Sequence, residues 1–337
     1  MMAKHKTPGR PPAMTDVAAL AGVSHQTVSR VINDKGTVRP ETRERVLSAI
    51  AQLGYRPNEA ARALVTRRSR LIGIITTQFV NYGPASTLLG VQVAAKQAGF
   101  YVSVASLSEF SQETLHDAVD LFLGQGVAGI VLIAPVIEVA HELHRLPLPP
   151  ATVVISSAWT EDSPQVSRVG VDQRAGARRA VRYLVEQGCK SIVHFAGPEN
   201  WFDAEQRREG WLDALAEAKL EPSLEFSGDW SASSGYRMAQ ELLSAELPDA
   251  IFVANDQMSL GALRALGEAG VRVPEDLLVV GFDDEPGSEF FRPALTTVRQ
   301  DFENVGTSAV ELITQRLDGR EVADRIIQPE LILRHSA

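Results

Sequence analysis

The sequence is poor in the residues that carry redox, metal and covalent chemistry. It has one cysteine, Cys189, in 337 residues, so neither an intrachain disulfide nor a thiolate metal cluster can form. A reducing compartment is the expectation. Histidines number only seven, and the one close pair, in "HELH" (141–144), lacks the H-E-x-x-H spacing that sets two imidazoles on one helical face. It reads as part of an exposed helix. There is no G-x-S-x-G, no G-x-x-x-x-G-K-[ST], no G-x-G-x-x-G and no nucleophile–base pair that the local sequence supports. No catalytic residue, no metal and no cofactor is therefore expected. No apolar run approaches the roughly 18 residues of a membrane span. The N-terminus has charge but no apolar core, so it does not read as a secretory signal. A cytoplasmic protein without a membrane partner follows.

What is present is unevenly distributed. Residues 1–70 hold 13 Lys and Arg against 5 Asp and Glu, which leaves 20 basic and 37 acidic residues for the rest of the chain; a head of +8 and a remainder of −17 make up the net −9. A basic head on an acidic body points to a polyanion met by the head alone. Residues 1–13 read as a flexible basic tail. With 45% hydrophobic residues the chain can bury a large core, and its length suggests two or three domains.

The head, 14–57, spells three short helices. Thr15 is placed to cap the first, with Asp16 in its first turn, and Gly22 ends it. Ser24 is placed to cap a second helix running to about Asn33. Pro40 opens a third, in which Val46, Leu47, Ile50 and Leu53 fall at helical spacing before Gly54. Plotted at 100° per residue, the second helix has two arcs that do not overlap. His25, Ser29, Asn33, Gln26 and Arg30 cover one side, and Val28, Val31 and Ile32 the other, facing Val17 and Leu20 of the first helix. The polar arc has no Lys or Glu, unlike an ordinary solvated face. Gln and Arg can pair bidentately with adenine and guanine, and helix–Gly turn–helix geometry lays the second helix in a major groove of double-stranded DNA.

Beyond the head the rhythm changes. Apolar runs "LIGIITT", "YVSVASL", "AGIVLIAP", "TVVISS", "SIVHFAG", "AIFVAND" and "LLVVGFDD" alternate with helical stretches, the signature of βαβ units and parallel sheets covered on both faces. The body, 71–337, is long for one doubly wound sheet and natural for two. The fold class expected is a small all-α helix-turn-helix head plus an α/β body of two doubly wound subdomains. Ligands bind such sheets beyond the carboxyl ends of the strands, where several runs end in polar residues.

At the level of motifs, "MTDVAALAGVSHQTVSRVIN" followed by "RPETRERVLSAIAQLGYRPNEAARAL" resembles the DNA-binding head and hinge of the LacI/GalR repressors. The likeness continues through "HFAGP", "RREGW", "GDWSASSGY", "VANDQMSLGALRA", "VVGFDD" and "PALTTVRQDF". It implies a homodimer that reads a pseudo-palindromic operator, with a periplasmic-binding-protein-like body. That body would divide into an N-subdomain, about 71–170 plus 302–328, and a C-subdomain, about 171–300 plus 329–337. By position, His25, Gln26 and Arg30 would read bases, while Ser24, Thr27, Ser29, Asn33 and Thr15 would contact or position against the backbone. Residues 58–70 would form hinge and linker. "NEAARAL" is far shorter than the roughly 12–15 residues at which an isolated helix becomes marginal, so it would form only against a partner helix and DNA. Asn58, Ala61 and Leu64 fall where the family pattern has its hinge contacts, with Leu64 as the minor-groove wedge.

A carbohydrate effector needs carboxylate and amide acceptors, a guanidinium or amide donor and an aromatic platform. The resemblance implies Asp283 as acceptor, Arg207 and Asn255 as donors, Trp230 as stacking face, Phe302 as a second apolar wall, and Gln300 reaching in near the subdomain crossover. Gln78 stands at a ligand-facing position. Ser157 stands about where a family member carries an inducer-contacting aspartate, so the pocket departs from the lactose-type site. Asp256 is expected to cap the following helix, Trp211 to lie in the core and Cys189 to be buried, with Trp201, Phe202 and Asp203 left between pocket and surface. The chain ends at "LILRHSA" without a leucine-heptad tail, which favours a dimer. The leading reading is a repressor released from its operator by a small-molecule carbohydrate, and nucleoid-associated when bound to it. A solute-binding transport protein would need a signal peptide and no head. A sugar-processing enzyme is open to the body alone.

Overall fold

The computed structural model describes residues 12–32, 38–56, 69–77, 81–109, 111–134, 146–157 and 166–337. Asn33, Asn58, Ala61, Leu64 and Gln78, with the hinge, the "HELH" stretch and most of the basic tail, lie outside the described residues. The chain divides into two units, Met1–Ser69 and Arg70–Ala337.

The first unit is a bundle of α1 (Met14–Ala21), α2 (His25–Ile32) and α3 (Pro40–Leu53). The cap of α1 is Ala13, not Thr15: Asp16, three residues on, takes the Ala13 backbone N–H at 2.7 Å. Thr15 thus stands exposed inside the first turn. Ser24 Oγ accepts from the Thr27 backbone N–H at 3.2 Å at the start of α2. Gly22 and Gly54 end α1 and α3 with φ of 65° and 61°, where a side chain would be strained. The core is small: Val17, Ala18, Ala21, Val28, Val31, Val46 and Ala49, with Tyr55 the one large side chain among them. Leu20 and Leu47, expected inside, are 46% and 49% exposed. In a bundle of short helices the contact faces are narrow: α1 buries Val17, Ala18 and Ala21, and Leu20 falls at the edge of that face.

The second unit holds two six-stranded sheets. The first comprises β1 (Leu71–Thr77), β2 (Tyr101–Leu107), β3 (Gly129–Ile133), β4 (Thr152–Ile155), β5 (Val166–Val171) and β11 (Arg325–Ile327), in the order β11-β5-β4-β3-β1-β2. All its described pairings are parallel. The second comprises β6 (Ile192–Ala196), β7 (Glu225–Ser227), β8 (Ala250–Val253), β9 (Leu278–Asp283), β10 (Thr296–Arg299) and β12 (Glu330–Ile332), in the order β12-β10-β9-β8-β6-β7. Only β12 runs antiparallel, against β10. Strands β1, β3, β4, β6 and β8 are buried along nearly their whole length, which is why they read as unbroken apolar runs.

Helices α4 (Tyr82–Gln97), α5 (Gln112–Gln125) and α10 (Phe302–Leu317) cover the first sheet. Helices α6 (Gln173–Glu186), α7 (Phe202–Ala218), α8 (Ala232–Leu242) and α9 (Asp256–Glu268) cover the second. The chain passes between the sheets three times: from β5 into α6, from β10 into α10, and from β11 to β12. A glutamine stands at each passage: Gln173, Gln300 and Gln328. Trp211 is buried, its Nε1 donating to the Ile192 carbonyl at 3.2 Å. Cys189 is also buried, and burial pushes its thiol up to about 11, so it is unreactive at neutral pH.

Candidate functional site

On α2 the packing separates two faces. Val28 and Val31 are buried in the bundle, while Ser24, His25, Gln26 and Arg30 are exposed and Thr27 and Ser29 half-buried. Ser24 and Thr27 hydroxyls lie 2.9 Å apart at the helix start. The exposed edge therefore presents an imidazole, a carboxamide and a guanidinium on about one and a half helical turns, with a basic head to attract phosphates.

The site in the second unit lies where the strands of both sheets end and the chain crosses. Arg207, on α7, is only 3% exposed. Its Nε donates to Gln173 Oε1 at 3.0 Å, and Gln173 Nε2 donates to Gln300 Oε1 at 2.7 Å. Gln300 Nε2 donates to Asp283 Oδ1 at 2.6 Å, and that oxygen lies 3.4 Å from Arg207 Nη2. The four side chains close a ring that ties the second sheet to two of the three crossings. The third is tied in as well, since Gln328 Nε2 donates to Asp172 Oδ2 at 3.1 Å beside Gln173. Arg207 also donates through Nη1 to the Ala254 carbonyl, and its guanidinium stacks 4.0 Å from the Phe282 ring centre. Burial pushes Asp283 up to about 7; Arg207 opposes this, Glu285 adds to it, Gln300 opposes it and Asp203 adds to it. The residue's φ of 110° and the 51° of Asp284 are left-handed, a conformation that costs on the order of 1–3 kcal/mol outside glycine. Asp284 is held there by Arg299 at 2.7 Å and Arg334 at 2.6 Å.

The aromatic wall is Trp230, also left-handed at φ 70° and 7% exposed. It meets Trp201 edge to face at 5.5 Å, and a Cβ on Gly197 would overlap its ring. Among the described residues its Nε1 is a buried donor without an acceptor. Phe302, at the start of α10, faces Tyr82 of α4 edge to face at 5.7 Å. Phe302, Gln300, Gln173, Asp203 and Ser157 line a cavity of about 50 Å³. Gln300 and Phe302 also border an open groove of about 950 Å³ along α4 and α10.

Three expectations change in detail. Asn255, read as a ligand donor, is the cap of α9: its Oδ1 accepts from the Met258 N–H at 2.8 Å and its Nδ2 donates to the Trp230 carbonyl at 3.0 Å. It positions the tryptophan. Asp256, read as the cap, instead turns inward and accepts from the Glu285 N–H (2.9 Å), Ser288 Oγ (2.5 Å) and Thr297 Oγ1 (2.6 Å). Burial, reinforced by Asp283, pushes Asp256 up to about 8. Trp201 and Phe202 are buried, and Asp203 faces the cleft, where Ser157 Oγ donates to its Oδ1 at 2.5 Å. Gln173 was not anticipated. It is the first residue of α6, two residues after β5, at the point where the chain changes sheets.

Comparison with known proteins settles the lineage. Residues 13–58 match the bacterial regulatory proteins of the lacI family, and residues 181–337 match the periplasmic binding protein-like domain. The sequence is 35% identical over 324 residues to the lactose operon repressor of Escherichia coli K12, covering 95% of this chain and 89% of that protein. The chain belongs to the lacI family. It is 37% identical over 346 residues to the HTH-type transcriptional regulator CelR of Thermobifida fusca, covering 97% and 98% of the two chains. The lac repressor dimer bound to operator and the anti-inducer ONPF superposes with a TM-score of 0.87 at 34% identity, over 97% of this chain and 99% of that one. A CelR–cellobiose complex gives 0.72 at 34%, over 97% and 100%. This lacI-family chain is thus a DNA-binding transcriptional regulator with a helix-turn-helix head, and its relatives are regulators rather than enzymes. Among the described residues no helix is long and apolar enough to cross a membrane, and no His, Cys, Asp and Glu cluster could hold a metal.

Proposed function

We propose that this lacI-family protein is a cytoplasmic homodimeric repressor whose grip on a pseudo-palindromic operator is released by a small carbohydrate. The carrying observation is the buried ring Arg207–Gln173–Gln300–Asp283. A guanidinium and a carboxylate held out of water beside Trp230 and Phe302 offer directional polar contacts and apolar walls together, as hydroxyl-rich rings require. Because two members of the ring stand at chain crossings, a ligand that engages it also bears on how the two sheets are held. Release then follows from a difference in ligand affinity between two arrangements, typically about 1–3 kcal/mol of coupling. The relatives support the chemistry: one matched structure is a cellobiose complex and another a lac repressor dimer on operator.

In the head, His25, Gln26 and Arg30 read bases, and Thr15, Ser24, Thr27, Ser29 and Asn33 bear on the backbone. Asn58, Ala61 and Leu64 act in the hinge. In the body, Asp283 and Arg207 are the polar contacts, Trp230 and Phe302 the walls, and Gln78, Ser157 and Gln300 the remaining contacts. Asn255 supports Trp230 from behind. The test is fluorescence anisotropy of operator DNA selected from random sequence, titrated with cellobiose, lactose and other neutral mono- and disaccharides. Loss of binding with one of them supports the reading; unchanged affinity across the panel sinks it.

A further inference from the structure

The cleft has a charge balance of its own. Among its described residues there is one cation, Arg207, against two carboxylates, Asp203 and Asp283. The charges just outside cancel: Asp284 is matched by Arg299 and Arg334, and Glu285 stands beside them with Gln257 at 2.6 Å. The cation is also hemmed in by the carboxylates. Its Nε serves Gln173, its Nη1 serves the Ala254 carbonyl, and its Nη2 lies 3.4 Å from Asp283 and 3.9 Å from Asp203. Nη2 thus faces both carboxylates, and an anion approaching the guanidinium on that side would meet two like charges.

The Ser157–Asp203 bond adds a second constraint. Ser157 follows β4 of the first sheet and Asp203 lies in the first turn of α7 on the second, so the 2.5 Å bond spans the cleft. A ligand hydroxyl can replace Ser157 as donor to Asp203. An ionised phosphate or carboxylate has only acceptors and would set a third negative charge beside two others.

We propose that Asp203 sets the charge class of the effector: the cleft admits uncharged polyhydroxy ligands and rejects sugar phosphates and sugar acids. The proposal rests on the carbohydrate reading above and narrows it. Asp203 is a specificity residue, doing electrostatically what a clash would do sterically.

The experiment uses the full-length protein at pH 8 and low ionic strength, with matched pairs: glucose and glucose 6-phosphate, glucose and glucuronate, cellobiose and cellobiose 6-phosphate. Calorimetric titration gives both affinities of each pair. In the wild type the neutral member is expected to bind at least about tenfold tighter, the ratio that about 1.4 kcal/mol produces. That preference should shrink as added salt screens the carboxylates. In Asp203→Asn and Asp203→Ser the preference should drop to under about threefold, with circular dichroism unchanged. A residue of structural importance alone would weaken both members together and leave the ratio as it was. Equal or tighter binding of a charged member by the wild type, or an unchanged ratio in both variants, overturns the proposal and leaves the carbohydrate reading standing. If no member of any pair binds and no neutral sugar of the operator-release panel acts, the carbohydrate reading falls and this one with it; if a panel sugar does act, that sugar and its phosphate form the deciding pair.

Discussion

The two working surfaces of the molecule are built in opposite ways. On α2 the side chains proposed to read bases, His25, Gln26 and Arg30, stand in solvent above the buried Val28 and Val31. In the cleft, Arg207, Gln300 and Asp283 are nearly as buried as the core, and each is held by the next. A surface of the first kind can be altered one residue at a time. In the second kind, removing one member strands its neighbours. The contrast predicts that loss of function and loss of stability separate in the head and coincide in the cleft.

The largest effect should come from Asp283→Ala. It leaves Arg207 buried without its carboxylate, a change that typically costs about 3–5 kcal/mol. Calorimetry should show a large fall in the melting temperature of the effector unit, and operator release by any effector should vanish. A variant that lost the response at full stability would show that the cleft is as modular as the head. Next, Arg30→Ala should lower operator affinity by about 1–3 kcal/mol and relax discrimination at one base pair, while thermal unfolding and effector binding stay as they are. Anisotropy with operator variants checks this; a uniform loss across sequences would make Arg30 a phosphate contact instead. Gln173→Ala should follow, costing about 1–3 kcal/mol by leaving the Arg207 Nε–H and Gln300 Oε1 without partners, and weakening effector binding in the same step.

Asp256 gives a pH test. Its carboxyl is pushed up to about 8, against an ordinary value near 4, so between these limits the unfolded chain has released the proton that the folded chain keeps. Stability from this group is therefore full at low pH and falls as pH rises from about 4 to about 8. Asp256→Asn lacks that slope. Its melting temperature relative to wild type should climb over this window and level off above it, and parallel profiles would contradict the assignment. The smallest effect belongs to Leu20→Ser: because Leu20 is 46% exposed, head stability should change by less than about 0.5 kcal/mol. A large loss would restore Leu20 to the core.

What could be read in advance follows the same division. The head was legible because its information is local: a helical period, Pro40 at one end of α3, glycines at the ends of α1 and α3. Seven strands were legible as apolar runs, but β5 was not, because Ser167 and Arg168 interrupt its pattern. Strand β7 and the crossing strands β11 and β12, three residues each, leave too short a pattern to see. Asn255 and Asp256 were the hardest. Either can cap a helix, and which one does is decided by the Trp230 carbonyl on one side and by Glu285, Ser288 and Thr297 on the other. Those partners are 25 or more residues away. Gln173 was missed for the same reason, since its meaning lies in Arg207 and Gln300 rather than in its neighbours.

The ring has a sense of travel. Arg207 can only donate and an ionised Asp283 can only accept, so the two carboxamides between them are both forced to point the same way, oxygen toward the arginine and nitrogen toward the aspartate. Turning over either amide alone would set oxygen against oxygen or nitrogen against nitrogen at both of its ends. The two crossings are thereby oriented by a single alignment that is kept or lost as a whole. A proton on Asp283 is the one local event that makes the terminal acceptor a donor, and with it the alignment ceases to be compulsory.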